Sequence, residues 1–393
     1  MTKRRVRVWR KPGTESLGEV HRRTYLPLAG RIKSTTKKCP SGWWYVVGPK
    51  RYLCADYGRP SYRLPHGKMR PRVRNDKLIP IPVYYAGRDG VPVYKSREDA
   101  AAGNLDRVVE RGFAFAVRYT TRVAGKRYLV TRARELVPRS GMHRHRASDF
   151  QGRALDGRPE KPIGCVYRPR GAVVYDRAKG GKRRVDRLKR LTWVTIHEEK
   201  KVGRRRYLRV GSDRWIRART VRRVRFSEPP RQVKGKDEVW IEVLTRSQTL
   251  VVYKGSKPVY ATIVSTGNHE NPTPYGLFRV WIKIAVETMD NTPGAADPYK
   301  VEAVPWIMYF HKGYAIHGAY WHEGFGRPRS HGCINLAPKD AKVVFDLSSP
   351  NLPPGWRSRW ANPRKRGTLI RVRRNTRQKV GWFKPKPNKK KTF

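Results

Sequence analysis

A histidine, a glycine and a cysteine follow one another in RSHGCINL, residues 329–336, and a second histidine, His317, lies upstream in YAIHGAYW. Cysteine attacks as a thiolate. A free thiol with a pKa of about 8.5 is mostly protonated at neutral pH, so a nucleophilic cysteine needs a basic or cationic neighbour. For Cys333 both His331 and His317 are available. Gly332 leaves the backbone free to turn sharply, so that the Gly332 and Cys333 amides can point at a developing oxyanion. Two other chemistries stay open. His317, His322, His331 and Cys333 are also zinc-ligand types, although neither Cys-x-x-Cys nor His-Glu-x-x-His accompanies them. The chain has 4 cysteines, so a disulfide to Cys333 is possible as well. Cys39 and Cys54 make the better couple, because they bracket WWYVVGPKRYL, a strand, turn and strand whose ends should meet. Closing a loop of about 15 residues is worth roughly 3 kcal/mol in the chain-entropy model, and such a bond implies an oxidising compartment. Cys165, in IGCVY, reads as a buried apolar thiol.

The elements that must position these residues are strands. WIEVLTRSQTLVVYKGSKPVYATIVSTG alternates apolar and polar residues across a Lys254-Gly255 turn, as a hairpin should. PYGLFRVWIKIAVETM predicts another strand, and VPWIMYF and YAIHG predict two more around His311-Lys312-Gly313. His317 thus ends a strand able to lie beside the segment of Cys333. After the cysteine, Pro338 suits the first turn of a helix through DAKVVFDL, where its missing amide has no intrahelical partner to lose. GTLIRVRR, residues 367–374, predicts a closing strand.

HGAYWHEGFGRPRSHGCINL resembles the signature of the L,D-transpeptidase catalytic domain (YkuD type), and SQTLVVYKGSKPVYATIVSTG and TPYGLFRV resemble that family's opening strands and Thr-Pro-x-Gly turn. The likeness covers about residues 238–373. It implies a β-sandwich with a short helix after the nucleophile. Cys333 would accept the acyl group, His317 would take its proton, and the Gly318 carbonyl would hold the imidazole in the right tautomer. His331, Gly332 and Cys333 would line the oxyanion hole, with Ser330 and Asn335 fixing the loop. The family forms a thioester with the tetrapeptide stem of peptidoglycan, releasing D-alanine, and passes the acyl group to the amine of another stem. No metal or cofactor is implied, and carbapenems are expected to acylate the same thiol. Because stems are anionic, Arg327 and Arg329 are possible carboxylate forks, Arg329 reading more as a solvated loop residue. Tyr309 and Tyr314 are placed to wall the donor groove. Transfer to water or to a protein amine would give an L,D-carboxypeptidase, an amidase or a wall ligase by the same thioester.

The formal charge of +59 is unevenly spread: residues 1–235 carry +43, residues 236–356 carry +1 and residues 357–393 carry +15. The segment holding Cys333 is nearly neutral and its flanks are strongly basic, which points to a polyanionic partner. Anionic envelope polymers are the expected partner. A basic nucleic-acid-binding β protein is the rival reading, supported by composition and by no motif. No stretch approaches the roughly 18 apolar residues of a membrane span, and the start, MTKRRVRVWRKPGT, lacks the apolar core of an export signal. The expected location is the periplasm or cell envelope, with export left unexplained.

The first 235 residues read as mostly β. WYVVGPKRYLC from Trp44, YLVTRARELVP from Tyr128 and YLRVGSDRWIR from Tyr207 align as a weak repeat, with Tyr52, Leu136 and Trp215 each eight residues after the leading aromatic. The first unit resembles a bacterial Src-homology-3-like barrel. The expected division is a small barrel at 1–60, a second β-rich module at 78–140, a third at 162–226, the catalytic domain at 236–373 and a disordered basic tail at 375–393. One helix is expected in the second module, over 98–112.

Overall fold

The protein is mainly β, and the computed structural model describes residues 1–66, 81–178, 183–290, 300–362 and 366–383. Among the described residues no helix is long and apolar enough to cross a membrane. The hairpin predicted across Lys254-Gly255 forms from Thr249–Lys254 and Lys257–Ile263, with Gly255 at φ +56°, and Val239–Leu244 pairs with the other side of Thr249–Lys254. Thr249–Lys254 is buried at every residue but its last. A strand covered on both faces loses its alternation and becomes a continuous apolar run. Leu369–Arg373 runs parallel to Val239–Leu244, and Gly276–Arg279 takes its outer side. A second sheet contains Ile282–Asp290, Lys300–His311, Tyr314–Gly318 and Ile334–Leu336. Ile241, Val252 and Ile370 from the first sheet meet Trp306, Met308 and Ile316 from the second, and Val344 and Phe345 of helix Pro338–Leu347 complete the same core. Pro338 occupies that helix's first turn.

The N-terminal strands join this second sheet. Expected as a small barrel, they lie in the order Glu15–Val20, Val6–Lys11, Tyr52–Cys54, Trp43–Val46 and Gly30–Lys33, with no barrel closure among the described residues. Their Glu15–Val20 edge pairs with Trp356–Trp360, which pairs in turn with Ile282–Asp290, so one sheet of 10 strands runs from the N-terminal module to Ile334–Leu336. Arg357 clasps the joint, reaching Glu19 at 3.3 Å and Glu287 at 3.2 Å. Gly18 makes the close approach possible: its φ is +150°, and a Cβ there would lie 2.2 Å from the Ser358 carbonyl oxygen. Gly18→Val should cost about 2 kcal/mol in urea unfolding through backbone strain and loss of the joint. An unchanged midpoint would show that the two sheets are not coupled there.

The three aromatic-led segments share one geometry. Trp44 pairs with Cys54, Tyr128 with Pro138 and Tyr207 with Arg217, the same register in each hairpin. Lys50, Arg134 and Asp213, each six residues after the aromatic, all have positive φ, at 50°, 69° and 49°. In the first hairpin Cys39 and Cys54 are joined by a disulfide.

Two expectations fail locally. The helix expected over 98–112 spans only Arg97–Ala102, capped by Ser96 and ended by Gly103 at φ +81°, after which β-branched Val108 and Val109 enter strand Arg107–Val109. Residues 375–383, expected to be disordered, lie on the catalytic domain. Leu277 donates its amide to the Gly381 carbonyl at 2.8 Å, and the Phe383 ring packs 5.2 Å from Phe278 and 4.5 Å from His311. Phe383 supplies the apolar contact that a purely compositional reading of the Lys- and Pro-rich tail overlooks. The last ten residues of the tail and residues 67–80 lie outside the described residues.

Candidate active site

Tyr314–Gly318 and Ile334–Leu336 are parallel neighbours, with His317 opposite Asn335. Parallel neighbours need a crossover. Residues 319–333 supply it as a loop that leaves the sheet after His317 and Gly318 and returns with Cys333 beside its point of departure. The loop is fixed along its path. Gly326 donates its amide to the Val264 carbonyl and Arg329 to the Thr266 carbonyl, both at 2.8 Å, and the Phe325 side chain is fully buried.

Cys333 sits in a tight turn held by two hydroxyls. Ser330 Oγ donates to the Cys333 carbonyl and accepts the Gly332 amide at 3.2 Å. Thr273 Oγ1 donates to the Gly332 carbonyl at 2.8 Å and accepts the Gly267 amide at 2.9 Å. The Gly332 amide, expected at the oxyanion, is therefore engaged by Ser330. The Cys333 amide has no acceptor among the described residues, and it is the donor that remains for a developing oxyanion.

His317 is buried, with its Nδ1 3.3 Å from the Gly318 carbonyl. A carbonyl only accepts, so Nδ1 carries the proton and Nε2 is left as a base. Burial pushes the imidazole down to about 4, against a smaller upward pull from the Gly318 carbonyl. Burial also pushes the Cys333 thiol up to about 11, partly offset by the Ala315 amide. At neutral pH the resting pair is a thiol and a neutral imidazole. The free site therefore holds no preformed ion pair between them.

His317, His331, Ser330, Cys333 and Asn335 line one open cleft of about 490 Å³, together with Arg329, Trp321, His322, Met289 and Val301. A family model for the L,D-transpeptidase catalytic domain, YkuD, matches residues 238–372. These residues are a YkuD domain. L,D-transpeptidase 1 of Mycobacterium tuberculosis is 29% identical over 108 residues, which make up 25% of this chain and 43% of that protein. The chain thus spans less than half the length of that relative. The catalytic domain of an E. faecium L,D-transpeptidase, solved by NMR, is 28% identical over 35% of this chain and 99% of that chain, with a TM-score of 0.28. An L,D-transpeptidase from Mycobacterium smegmatis is 19% identical over 58% of this chain and 95% of that chain, with a TM-score of 0.29.

In the YkuD domain Arg327 is not among the cleft-lining residues, and Arg329 is exposed, as expected of a solvated loop residue. Arg329 lines the cleft, whereas the Arg327 guanidinium lies 5.9 Å from the Tyr167 ring centre in the third module. Neither Tyr309 nor Tyr314 is among the cleft-lining residues. Tyr314 instead props the cysteine turn from behind: Gly332 has φ +111°, and a Cβ there would lie 2.3 Å from Tyr314 Cε1. Trp321, not singled out from the sequence, forms the aromatic wall by stacking on His317 at 5.8 Å. Gly332→Ala should displace the sulfur and slow carbapenem acylation of the thiol about 100-fold, since misplacements near 1 Å cost this much. A wild-type acylation rate in the folded variant would mean that the turn tolerates the methyl group.

His322 contributes through Asn335. Its Nδ1 accepts the Gly324 amide at 2.9 Å, and its Nε2 lies 3.0 Å from the Asn335 side-chain amide. Burial pushes this imidazole down to about 3, so it is neutral and must carry its one proton on Nε2. Asn335 Nδ2 faces Nε2 while its Oδ1 has no partner, and a half-turn of the amide would let Oδ1 accept the Nε2 proton. With both ring nitrogens so engaged, His322 has no lone pair to give a zinc ion. The sequence signal was the histidine two residues before a glycine in His322-Glu323-Gly324, the spacing of a side chain that closes its own turn.

Proposed function

We propose that this protein is a peptidoglycan L,D-transpeptidase working through a thioester on Cys333. The carrying observation is the placement of Cys333 and the unprotonated Nε2 of His317 in one cleft of a matched YkuD domain. His317 Nε2 takes the thiol proton as the sulfur attacks the carbonyl that precedes the terminal D-alanine of a tetrapeptide stem. The Cys333 amide receives the oxyanion. His317 returns the proton to the departing D-alanine amine, leaving a thioester. The side-chain amine of a second stem then attacks that thioester, gives its proton to His317 and leaves as an amide, and the sulfur recovers its proton. Every bond broken is matched by one formed, and no cofactor enters. Arg329 at the cleft wall offers its fork to a stem carboxylate. Substrates of this kind place the protein in the cell envelope, where the basic flanks hold it to anionic polymers.

Mass spectrometry of muropeptides treated with the full-length protein tests the proposal. Dimers bridged between two diamino acids, with release of D-alanine, are the expected products. Shortened monomers alone would mean that water is the acceptor, and the absence of either product would refute the reaction.

A further inference from the structure

A cleft of about 820 Å³ lies between the third β-rich module and the YkuD domain, and none of its lining residues is shared with the cleft of Cys333. Eight of the fourteen lining residues are arginines; none is acidic and none is aromatic. Two have a carboxylate partner: Glu199 lies 2.7 Å from Arg223 and 3.3 Å from Arg206. Arg222 is held by the protein, donating through Nε to the Gly326 carbonyl at 2.7 Å and lying over the Tyr167 ring at 4.0 Å. Arg219, Arg225, Arg246, Arg374 and Arg377 are exposed and meet no carboxylate among the described residues. Five like charges gathered without counter-charge repel one another, and a bound anion relieves that repulsion.

We propose that this cleft binds a polyanionic envelope polymer whose charges are phosphodiesters on a base-free backbone. The guanidinium fork donates to two phosphate oxygens at once, which favours oxyanions carried on tetrahedral groups. The number of uncompensated arginines calls for several charges in a row, hence a polymer and not a single small anion. The lack of any aromatic side chain removes the stacking platform on which single-stranded nucleic acids rely, so the backbone carries no bases. The inference rests on the proposed envelope-binding role of the basic flanks and names the place where the grip occurs. Arg222 ties that place to the chemistry, because the carbonyl it holds belongs to the loop that leads to Cys333.

The test uses the full-length protein and an Arg219→Gln/Arg225→Gln/Arg377→Gln variant. These are exposed side chains outside the catalytic cleft, so carbapenem acylation of Cys333 should be unchanged and reports correct folding. Binding of a fluorescent poly(glycerol phosphate) oligomer is measured across salt concentrations. The wild type should bind, and the variant should bind at least about 10-fold more weakly, with its log-log salt slope shallower by about 2. Equal binding by both proteins overturns the cleft while leaving the envelope reading intact. A wild type that binds neither the oligomer nor purified envelope sinks that reading too. Polygalacturonate and single-stranded DNA of matched charge serve as further probes. Tighter binding of polygalacturonate overturns the phosphodiester assignment, and tighter binding of DNA, lost in the variant, overturns the base-free one.

Discussion

Cys333→Ala will yield no bridged dimers, no shortened monomers and no covalent adduct when the full-length protein is incubated with tetrapeptide stems or a carbapenem. The expected loss is about 10⁴-fold or more, the size seen when a nucleophile is removed outright. The side chain lies in the cleft wall and the turn around it is held by Ser330 and Thr273 through backbone atoms, so an alanine leaves those bonds in place. The variant should melt with the wild type. Cys165, the other free cysteine, cannot substitute: it is buried, and burial pushes its thiol well above the ordinary cysteine range. A carbapenem adduct on any other residue, or retained products in the variant, would remove the nucleophile from the mechanism.

The second large effect concerns the proton. His317→Asn should slow acylation about 10³-fold, within the range of lost general-base catalysis. The pH profiles make the loss specific. With the His317 imidazole at about 4 and the Cys333 thiol at about 11, wild-type kcat/KM should be flat from about pH 5 to 9, falling only as His317 becomes protonated near 4. In the variant the thiolate must come from solvent ionisation, so its rate should climb about tenfold per pH unit up to the thiol pKa. Iodoacetamide alkylation of the substrate-free wild type should be slow at pH 7. A wild-type limb near 6 to 7, or fast alkylation at neutral pH, would show a preformed ion pair and refute the neutral resting state. The same burial has a stability consequence. The unfolded imidazole titrates near 6.5 and the folded one near 4, so the unfolded chain binds more protons between these values. Stability from this residue is complete above about 6.5 and is lost as the pH falls toward 4.

Cys333 and His317, the proposed nucleophile and base, could be singled out because the chemistry proposed for them is local: a cysteine after a glycine, and a histidine ending a strand. What lay hidden depends on contacts remote in sequence. Ser330 engages the Gly332 amide expected at the oxyanion, and only the folded turn reveals that competition. Arg327 and Arg329 are equivalent as text. One faces the cleft and the other faces Tyr167 because the third module packs against their loop. The strand pattern of the YkuD domain was readable from apolar runs, whereas Glu15–Val20 gives no sign that its partner lies more than three hundred residues downstream. The stretch over 98–112 misled because alanines favour helix for one turn, and Gly103 then ends it.

The strand-to-strand joint at Gly18 has a bearing on reach. A catalytic unit on a loose leash can sample many stems around its anchor, and its yield is set by leash length. Here the N-terminal strands and the strand that follows Cys333 are rungs of one ladder, so whatever surface those N-terminal strands rest on stands at a set span from Cys333. The molecule would then act as a caliper, selecting donors by how far they stand from its footing.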